Sequence, residues 1–243
     1  MTISAIVCAY NEARYLPACL FSLLAQTRPP DEILVINNAS TDETAALARR
    51  VPGVRVVDEP IKGLVVARET ARREARGEIL AFVDADCRPP ICWMERVERR
   101  FGSRDEPVGV TGPYRFYDWH WGGRTLIRLY DVAVAPPTHF LVHHALQVGA
   151  IFYGGNFAVR RDALARIGGF DRSIEFHGED TNLGRRLTPL GRIDVCADCW
   201  VWTSARRYHA MGTRQVVSLY VRNFWSEILR HRPADVEHVD IRG

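Results

Sequence analysis

The chain has 243 residues, of which 47% are hydrophobic and 25% are charged, values that are ordinary for a soluble globular protein. Its formal net charge of +3 is too small to indicate nucleic-acid binding by itself. No uninterrupted apolar run reaches the roughly 20 residues that cross a bilayer, so we expect no membrane-spanning segment.

The first half of the chain alternates between strand and helix patterns. Short runs rich in apolar and β-branched residues predict buried strands at 3–9, 32–37, 54–57 and 79–84. Leucines at helical spacing after the first strand and the stretch 64–75 predict helices. A Ser40-x-x-Glu43 capping box predicts the start of the helix between the second and third strands. This alternation predicts an α/β fold, with a mostly parallel sheet flanked by helices.

Ligands of such sheets bind beyond the carboxyl ends of the strands. The fourth predicted strand is almost wholly apolar and runs directly into Asp84-Ala85-Asp86. An extended backbone places both of these carboxylates on one side. Carboxylates at this edge suit Mg²⁺ or Mn²⁺, which prefer oxygen ligands, although a solvated acidic turn has the same pattern.

The second half of the chain is less regular. Residues 108–114 and 157–160 predict strands, and helices are predicted from about residue 180 and over 213–230. Between them, residues 119–147 form an aromatic and His-rich segment that is expected to be mostly helical or irregular. Three interpretations of this segment stay open, namely stacking on sugars, contact with lipid and packing in the core. The charged tail after Pro233 is expected to fray.

Glu179 and Asp180 open a predicted helix that has leucines on its apolar face. Acidic residues at a helix N-terminus are stabilised by the helix dipole, and that explanation is sufficient on its own. The functional interpretation is a general base. The sequence pattern by itself does not separate the two.

Two further features also have two interpretations. Gly154 and Gly155 precede Asn156 and a short strand, where they either allow close approach of a ligand or simply form a turn. Arg206 and Arg207 have planar guanidinium groups that suit a diphosphate, although paired arginines are most often solvated. The sequence leaves both features open.

The six cysteines raise a metal alternative. Cys196-x-x-Cys199 is half of a zinc-site spacing, but Cys87 and Cys92 are too widely spaced to form the second tight pair. Reduced, buried thiols are therefore the expectation.

Taken together, these segments resemble the family-2 glycosyltransferases, which have the GT-A fold. The motifs that carry the resemblance are VCAYNE at 7–12, ASTD at 39–42, Lys62-Gly63 with Ala67-Arg68, GEILAFVDAD at 77–86, GNFAVRR at 155–161, IGGFD at 167–171, and Glu179-Asp180 with Leu183, Arg186 and Leu187. They cover roughly residues 2–191, with 102–152 unmatched, and their order and spacing are more specific than any one motif. The resemblance implies one GT-A domain over 1–243, with a nucleotide-sugar-binding half at 1–101, an acceptor-side half at 102–232 and a tail at 233–243.

The resemblance also implies roles for individual residues. The residues implied to bind the donor nucleotide are Ala9, Tyr10 and Glu12 around the nucleoside, Asn38 and Arg68 near the base, and Asp84 at the ribose. Asp86 is implied to hold the Mn²⁺ or Mg²⁺ cofactor, and Asp180 to deprotonate the acceptor hydroxyl. Contacts to the diphosphate or the acceptor are assigned to Gly155, Asn156, Glu179, Arg206 and Arg207.

The segment 203–212 is predicted to be a loop that orders over a bound diphosphate. Some GT-A enzymes take a third metal ligand from a His that follows the general base in the chain. Here His209 is the only His between Asp180 and the last predicted helix. Arg206 or Arg207 would then neutralise the leaving group. A surface loop with solvated arginines is the alternative.

The implied activity is metal-dependent transfer of a sugar, with inversion, from a UDP-linked donor to a sugar, glycolipid or small-molecule acceptor. The family often has an acidic pair where this chain has Asn37-Asn38, so GDP or another nucleotide stays open. The protein is expected in the cytoplasm, with peripheral contact at the inner face of the membrane and no nucleic-acid partner.

The alternative functions are a nucleotide-sugar-binding module without turnover and a sugar-1-phosphate nucleotidyltransferase. A dinucleotide oxidoreductase is disfavoured, because the first strand is not followed by G-x-G-x-x-G.

Overall fold

The computed structural model describes residues 1–174, 177–232 and 234, and it is built around a central sheet. The strands are β1 (Ile3–Ala9), β2 (Glu32–Asn38), β3 (Val54–Glu59), β4 (Ile79–Asp84), β5 (Gly109–Thr111), β6 (Tyr114–Phe116), β7 (Asn156–Arg160), β8 (Ile193–Val195) and β9 (Val201–Thr203). The helices are α1 (Leu16–Leu24), α2 (Thr44–Arg49), α3 (Leu64–Glu74), α4 (Trp93–Phe101), α5 (Trp121–Leu129), α6 (Ala135–His139), α7 (Arg161–Arg166), α8 (Glu179–Leu187), α9 (Arg206–Met211) and α10 (Thr213–Arg230).

The central sheet has the strand order β3-β2-β1-β4-β7-β5-β8. The four strands of the first half are parallel to one another, as the alternating pattern predicts. Strand β7 is antiparallel to both of its neighbours, β4 and β5. The second half therefore extends the same sheet, and the reversed β7 begins at the edge where β4 ends.

Each face of the sheet has its own apolar core, because successive side chains of a strand point to opposite faces. On one face Val7 belongs to a buried cluster with Leu16 and Trp93, which lie on helices α1 and α4. On the other face Ile6 and Phe82 belong to a second cluster with helix α3. Burial on both faces explains why these strands are continuous apolar runs with no polar alternation.

The predicted capping box does not form, and that prediction is wrong. Helix α2 begins at Thr44 with Glu43 as its N-cap, and the Glu43 side chain makes no capping hydrogen bond. Asp42 Oδ1 instead accepts from the Thr44 N–H at 2.9 Å. Ser40 Oγ accepts from the Asn11 N–H at 3.1 Å, so Ser40 joins the ends of β1 and β2.

Two predicted boundaries in the second half also differ from the structure. The strand expected over 108–114 is divided into β5 and β6, because Pro113 between them has no N–H to donate to a ladder. The segment 203–212, predicted as a loop, contains the short helix α9. Helical backbone therefore holds Arg206 and Arg207.

The aromatic and His-rich segment 119–147 is largely helical. Helices α5 and α6 are joined and followed by π-helical turns at Tyr130–Val134 and Phe140–Ala145. Pro136 and Pro137 lie in the first turn of α6, directly after the first π-helical turn, and neither has an N–H to donate to the preceding turn. Of the tail predicted to fray, the structure describes only Ala234, and the rest lies outside the described residues.

Candidate active site

The reversed strand β7 brings Gly155 to the end of β4. The Asp84 N–H donates to the Gly155 carbonyl at 3.2 Å, next to the pairing of Val83 with Asn156. A Cβ atom on Gly155 would overlap Asp84 Oδ2 and would lie 2.9 Å from the Tyr114 hydroxyl. Glycine is therefore required here, and the close approach that it allows is to the carboxylate of Asp84.

Arg206 connects the end of β1 with the end of β4. Its Nη2 lies 2.6 Å from Glu12 Oε1 and its Nη1 lies 2.9 Å from Glu12 Oε2, while its Nε lies 2.9 Å from Asp86 Oδ2. Glu12 and Asp86 are only 2% and 7% exposed, so one guanidinium neutralises two buried carboxylates. Burial opposes the charge of Arg206, but the Asp86 and Glu12 carboxylates raise the pKa of its guanidinium above the ordinary value.

Asp86 has a second side-chain neighbour in the hydroxyl of Thr203, which lies 3.4 Å from Asp86 Oδ1. His209, expected as a metal ligand, is elsewhere: its Nε2 lies 3.1 Å from the carbonyl oxygen of Asp118. Within the described residues, no group of three neighbouring metal-ligating side chains includes Asp84, Asp86 or His209. The structure therefore does not bring His209 to Asp86, because α9 directs its ring to the segment before α5.

Arg68 is a second buried arginine at this edge, and it is 3% exposed. Its Nη1 donates to Glu179 Oε1 at 2.9 Å and its Nη2 donates to the Gly154 carbonyl at 2.6 Å. These contacts join α3 to the start of α8 and to the turn before β7. The structure therefore places Arg68 beside Glu179 and Asp180 at the start of α8, whereas the resemblance implies that it lies near the nucleotide base.

Asp180 follows Glu179 at the start of α8. A Cβ atom on Gly154 would lie 3.2 Å from both Asp180 Oδ2 and Glu179 Oε1, so the two carboxylates flank this glycine. Burial and then the Glu179 charge raise the pKa of Asp180 to about 7, against the Thr181 N–H and Arg68. A helix dipole alone would lower that pKa, so burial outweighs it. A carboxyl group that titrates near neutral pH suits proton transfer.

Tyr10 and Asn38 lie at the ends of β1 and β2, beside the turn at 61–63. Lys62 Nζ donates to the Tyr10 hydroxyl at 2.9 Å and lies 4.0 Å from the centre of its ring. Asn38 Nδ2 donates to the Ile61 carbonyl at 2.6 Å, and Asn38 Oδ1 accepts from the Gly63 N–H at 2.8 Å. Asn38 thus shapes this turn, and the second lone pair of its amide oxygen can accept a further hydrogen bond.

Two of the predicted site residues, Ala9 and Asn156, make contacts with other residues of the protein. The side chain of Ala9 is fully buried, and its carbonyl accepts from Ser40 Oγ at 3.5 Å. Asn156 is 1% exposed, with Nδ2 donating to the Cys199 carbonyl at 2.8 Å and Oδ1 accepting from Trp93 Nε1 at 3.1 Å. The assignment of Asn156 to a ligand contact is therefore corrected, because its amide is used within the core.

The sequence analysis missed two tyrosines at the site. The Tyr114 hydroxyl accepts from the Gly155 N–H at 2.6 Å. Arg207 Nη1 donates to the Tyr220 hydroxyl at 3.0 Å. Both tyrosines lie outside the motifs of the resemblance, and no spacing signal marks them.

Two other groups of potential metal ligands occur in the described part of the chain, and neither contains a carboxylate of this edge. They are His139 with His143 and His144, and Cys196 with Asp198 and Cys199. The backbone of Ile193 already occupies two of the histidine nitrogens, through His139 Nε2 and His143 Nε2 at 3.0 Å each. Cys87 and Cys92 join neither group, so the zinc interpretation lacks its second pair.

The oxygen atoms at the end of β4 fit a hard divalent cation. Mg²⁺ and Mn²⁺ are commonly held by one or two protein carboxylates, with water and phosphate oxygens completing the shell. Asp86, with the Thr203 hydroxyl beside it, provides such donors. The backbone from Asp84 to Cys87 is a turn, closed by the Cys87 N–H donating to the Asp84 carbonyl at 2.9 Å, and not the extended backbone expected to place both carboxylates on one side. Arg206 already contacts Asp86 Oδ2, so a cation at that oxygen replaces the guanidinium.

Sequence comparison identifies similar proteins. The model of the family described as Glycosyl transferase family 2 matches residues 4–168. The chain is 28% identical to Glycosyltransferase AglE of Haloferax volcanii over 197 residues, which cover 78% of this chain and 62% of AglE. It is 27% identical to the uncharacterized glycosyltransferase EpsJ of Bacillus subtilis over 183 residues, which cover 72% of this chain and 52% of EpsJ. The chain thus spans between half and two thirds of the length of these relatives.

Two solved structures have a similar fold. The mannosyltransferase PcManGT from Pyrobaculum calidifontis, in complex with GDP-Man and Mn²⁺, has a TM-score of 0.73 and 24% identity, covering 98% of this chain and 66% of PcManGT. S. aureus TarS 1-349, in complex with UDP-GlcNAc, has a TM-score of 0.68 and 19% identity, covering 95% of this chain and 65% of that one. At these identities the similarity concerns the fold, and it confirms the predicted GT-A type.

We predict that Arg206→Gln lowers the free energy of unfolding by about 3 kcal/mol, because removing one partner of a buried ion pair leaves carboxylate charge behind. Mn²⁺ should restore part of this loss, since a cation can neutralise Glu12 and Asp86 in place of the guanidinium. Urea unfolding in Mn²⁺ and in EDTA measures both effects.

Arg49→Gln is the control, because it removes the same group from an arginine that pairs with one carboxylate, Asp58, where both side chains are more than half exposed. Its loss should stay below about 1 kcal/mol, because an exposed ion pair contributes little, and should not respond to Mn²⁺. Equal losses in the two variants, or an Arg206→Gln variant that is indifferent to Mn²⁺, would contradict the assigned role of Arg206.

Proposed function

The chain belongs to glycosyl transferase family 2, and from this premise we propose that it transfers a sugar from a UDP-linked donor to an acceptor hydroxyl, with inversion. The observation that carries the proposal is the arrangement at the carboxyl edge of the sheet. There Arg206 holds Glu12 and Asp86, while Asp180 lies beside Glu179 with a pKa near neutral. Residues 1–101 supply the donor half and 102–232 the acceptor half of one domain.

The nucleoside is proposed to bind beside Tyr10 and the turn at 61–63. The Tyr10 ring offers an aromatic surface there, and Asn38 Oδ1 keeps a lone pair that can accept from the N–H of uracil. Arg206 and Arg207 have planar forks that match phosphate oxygens and lie on the same helix. TarS, a protein of similar fold, was solved with UDP-GlcNAc, which supports the choice of UDP.

We further propose that transfer depends on Mn²⁺ or Mg²⁺, held by Asp86 together with Asp84. The cation supplies positive charge that stabilises the departing diphosphate. With a cation on Asp86, the Arg206 guanidinium would be available to the phosphate oxygens, while its hydrogen bonds to Glu12 would keep the arginine at the end of β1. PcManGT, which was solved with GDP-Man and Mn²⁺, supports a divalent cation.

Asp180 is proposed to take the proton from the acceptor hydroxyl. Burial and the Glu179 charge raise the pKa of its carboxyl to about 7, so its carboxylate is a stronger base than that of an ordinary aspartate. The Arg68 guanidinium contacts Glu179 and the Gly154 carbonyl, next to Asp180 in the chain and in the fold. Attack by the deprotonated hydroxyl on the face opposite the diphosphate inverts the anomeric carbon. The protein is proposed to act in the cytoplasm.

The donor and the metal can be tested together by thermal unfolding with a panel of nucleoside diphosphates and UDP-sugars, with and without Mn²⁺. UDP should raise the midpoint most, and only with Mn²⁺, because a ligand at 100 times its Kd adds about 2.7 kcal/mol to the native state. Asp86→Asn should lose the Mn²⁺-dependent shift. Asp105→Asn, a change at an 86% exposed carboxylate, is the control and should keep it.

An unchanged Mn²⁺-dependent shift in Asp86→Asn would show that Asp86 is not a metal ligand. A larger shift with GDP than with UDP would show that the donor carries guanine and not uracil. Product analysis separates the two alternative functions. Release of pyrophosphate from a nucleoside triphosphate and a sugar phosphate would indicate a nucleotidyltransferase. Donor binding with neither transfer nor hydrolysis would indicate a binding module.

The role of Asp180 predicts the pH dependence of transfer. At saturating donor and acceptor, kcat should rise with pH through about 7, because only the deprotonated carboxylate accepts a proton. Glu179→Gln removes a neighbouring negative charge, so the pKa of Asp180 falls and the rise moves to lower pH. Asp180→Asn should lower kcat by about 10²–10⁴ and leave donor affinity within a few-fold.

Steady-state kinetics across pH 5 to 9, with donor binding measured separately, provide the readout. A rise that stays at the same pH in Glu179→Gln would show that another group titrates. Loss of donor binding or of folding in Asp180→Asn would leave that residue a structural role at the start of α8.

A further inference from the structure

The acceptor-side half carries a large exposed apolar surface, formed by residues 121–148 and the outward face of α10. We call it the apolar–arginine surface. Its most exposed members are Trp121, Leu129, Val132, Phe140 and Leu229, each at least 60% exposed. Side chains of this size scattered singly are normal, but a contiguous group of them marks an interaction site.

The two parts of the surface are adjacent, because α10 packs on the segment before β7. Phe224 of α10 packs against the buried cluster of Ala135, Ile151 and Tyr153. Ile228, one turn later, covers Gly149 so closely that a Cβ atom there would overlap it. The outward sides of α10 and of the 121–148 segment therefore border each other.

Helix α10 presents a regular apolar stripe on its outward side. Val217, Val221, Trp225 and Leu229 recur at every fourth position, and each is between 38% and 72% exposed. Residues four apart lie on one face of a helix. None of the described helices, α10 included, is long and apolar enough to span a membrane.

The charges of the apolar–arginine surface all have one sign. Within 121–148 and 213–230, the exposed Asp, Glu, Lys and Arg side chains are all arginines, namely Arg124, Arg128, Arg214, Arg222 and Arg230. The acidic residues there point inward: Asp131 contacts Arg115 and Glu227 contacts Arg185. A surface whose exposed side chains are apolar or arginine is complementary to a partner that is apolar inside and anionic at its rim.

We propose that the apolar–arginine surface docks onto an anionic phospholipid bilayer. The apolar side chains enter the boundary between headgroups and acyl chains, and the arginines reach the phosphates with their aliphatic stems on the apolar layer. A second copy of this chain is the poorer partner. A two-fold interface would place five arginines against the same five arginines.

Docking also orients the active site. Tyr220 of α10 accepts from Arg207 of α9. Glu227 of α10 accepts from Asn182 of α8, the helix that begins with Glu179 and Asp180. The surface therefore borders the acceptor side of the carboxyl edge, and docking brings that side to the bilayer. The proposal rests on exposure, packing and charge, so it does not depend on the transfer reaction.

Vesicle flotation tests the proposal with the full chain and no nucleotide. The protein should float with vesicles of phosphatidylglycerol and phosphatidylcholine, and stay in solution with phosphatidylcholine alone. The triple change Arg128→Gln, Arg214→Gln and Arg230→Gln should weaken binding roughly a hundredfold, at about fivefold per arginine. The matched triple change Arg50→Gln, Arg104→Gln and Arg166→Gln alters net charge equally at exposed positions elsewhere, and should change binding less than about threefold.

A second pair of variants tests the apolar contribution. Phe140→Ser with Leu229→Ser should weaken binding about tenfold or more, whereas Phe21→Ser with Leu24→Ser, also exposed but on α1, should not. Equal binding to both kinds of vesicle, no binding to either, or equal effects of the matched variants would overturn the proposal. A dimer in sedimentation velocity that Phe140→Ser with Leu229→Ser dissociates would also overturn it, because a second copy would then cover the surface. None of these outcomes alters the donor-binding result.

Discussion

The active-site edge depends on the contact of one guanidinium, that of Arg206, with two carboxylates 194 and 120 residues earlier in the chain. Glu12 and Asp86 are both nearly inaccessible to water, and two buried carboxylates without a cation are costly to the folded state. Arg206 removes that cost, and it can do so because α9 begins three residues after the last residue of β9. Under the proposed function, binding of the cation and the diphosphate would exchange these charge pairs for others.

A second buried arginine sets the properties of the proposed base. Arg68 pairs with Glu179 and with the carbonyl of Gly154, which fixes the start of α8 against the turn before β7. Asp180 lies beside this pair, and burial raises its pKa in spite of the helix dipole. The two arginines therefore lie on two sides of the edge: the proposed donor side, where Arg206 neutralises Glu12 and Asp86, and the proposed base side, where burial raises the pKa of Asp180.

The sequence predicted the first half of the fold well, because strands buried on both faces must be apolar runs and the chain order of strands and helices limits the topology. It also located Asp84 and Asp86, since a strand end is visible in sequence. It did not predict the partners of Arg206 or Asn156, whose contacts lie far away in the chain. The expectation for His209 assumed a loop, and helical backbone at α9 directs its ring to Asp118 instead. The raised pKa of Asp180 could not be predicted from the sequence, because no sequence spacing marks the burial that causes it.

Diffraction at the manganese absorption edge from crystals grown with UDP and Mn²⁺ tests the central claim most directly. The account predicts an anomalous peak within coordination distance of Asp86, with the Arg206 guanidinium moved from Asp86 Oδ2 to a phosphate oxygen and still paired with Glu12. A peak at the Cys196–Cys199 pair or the histidine group, or nucleotide bound while Arg206 keeps its contact with Asp86, would contradict it.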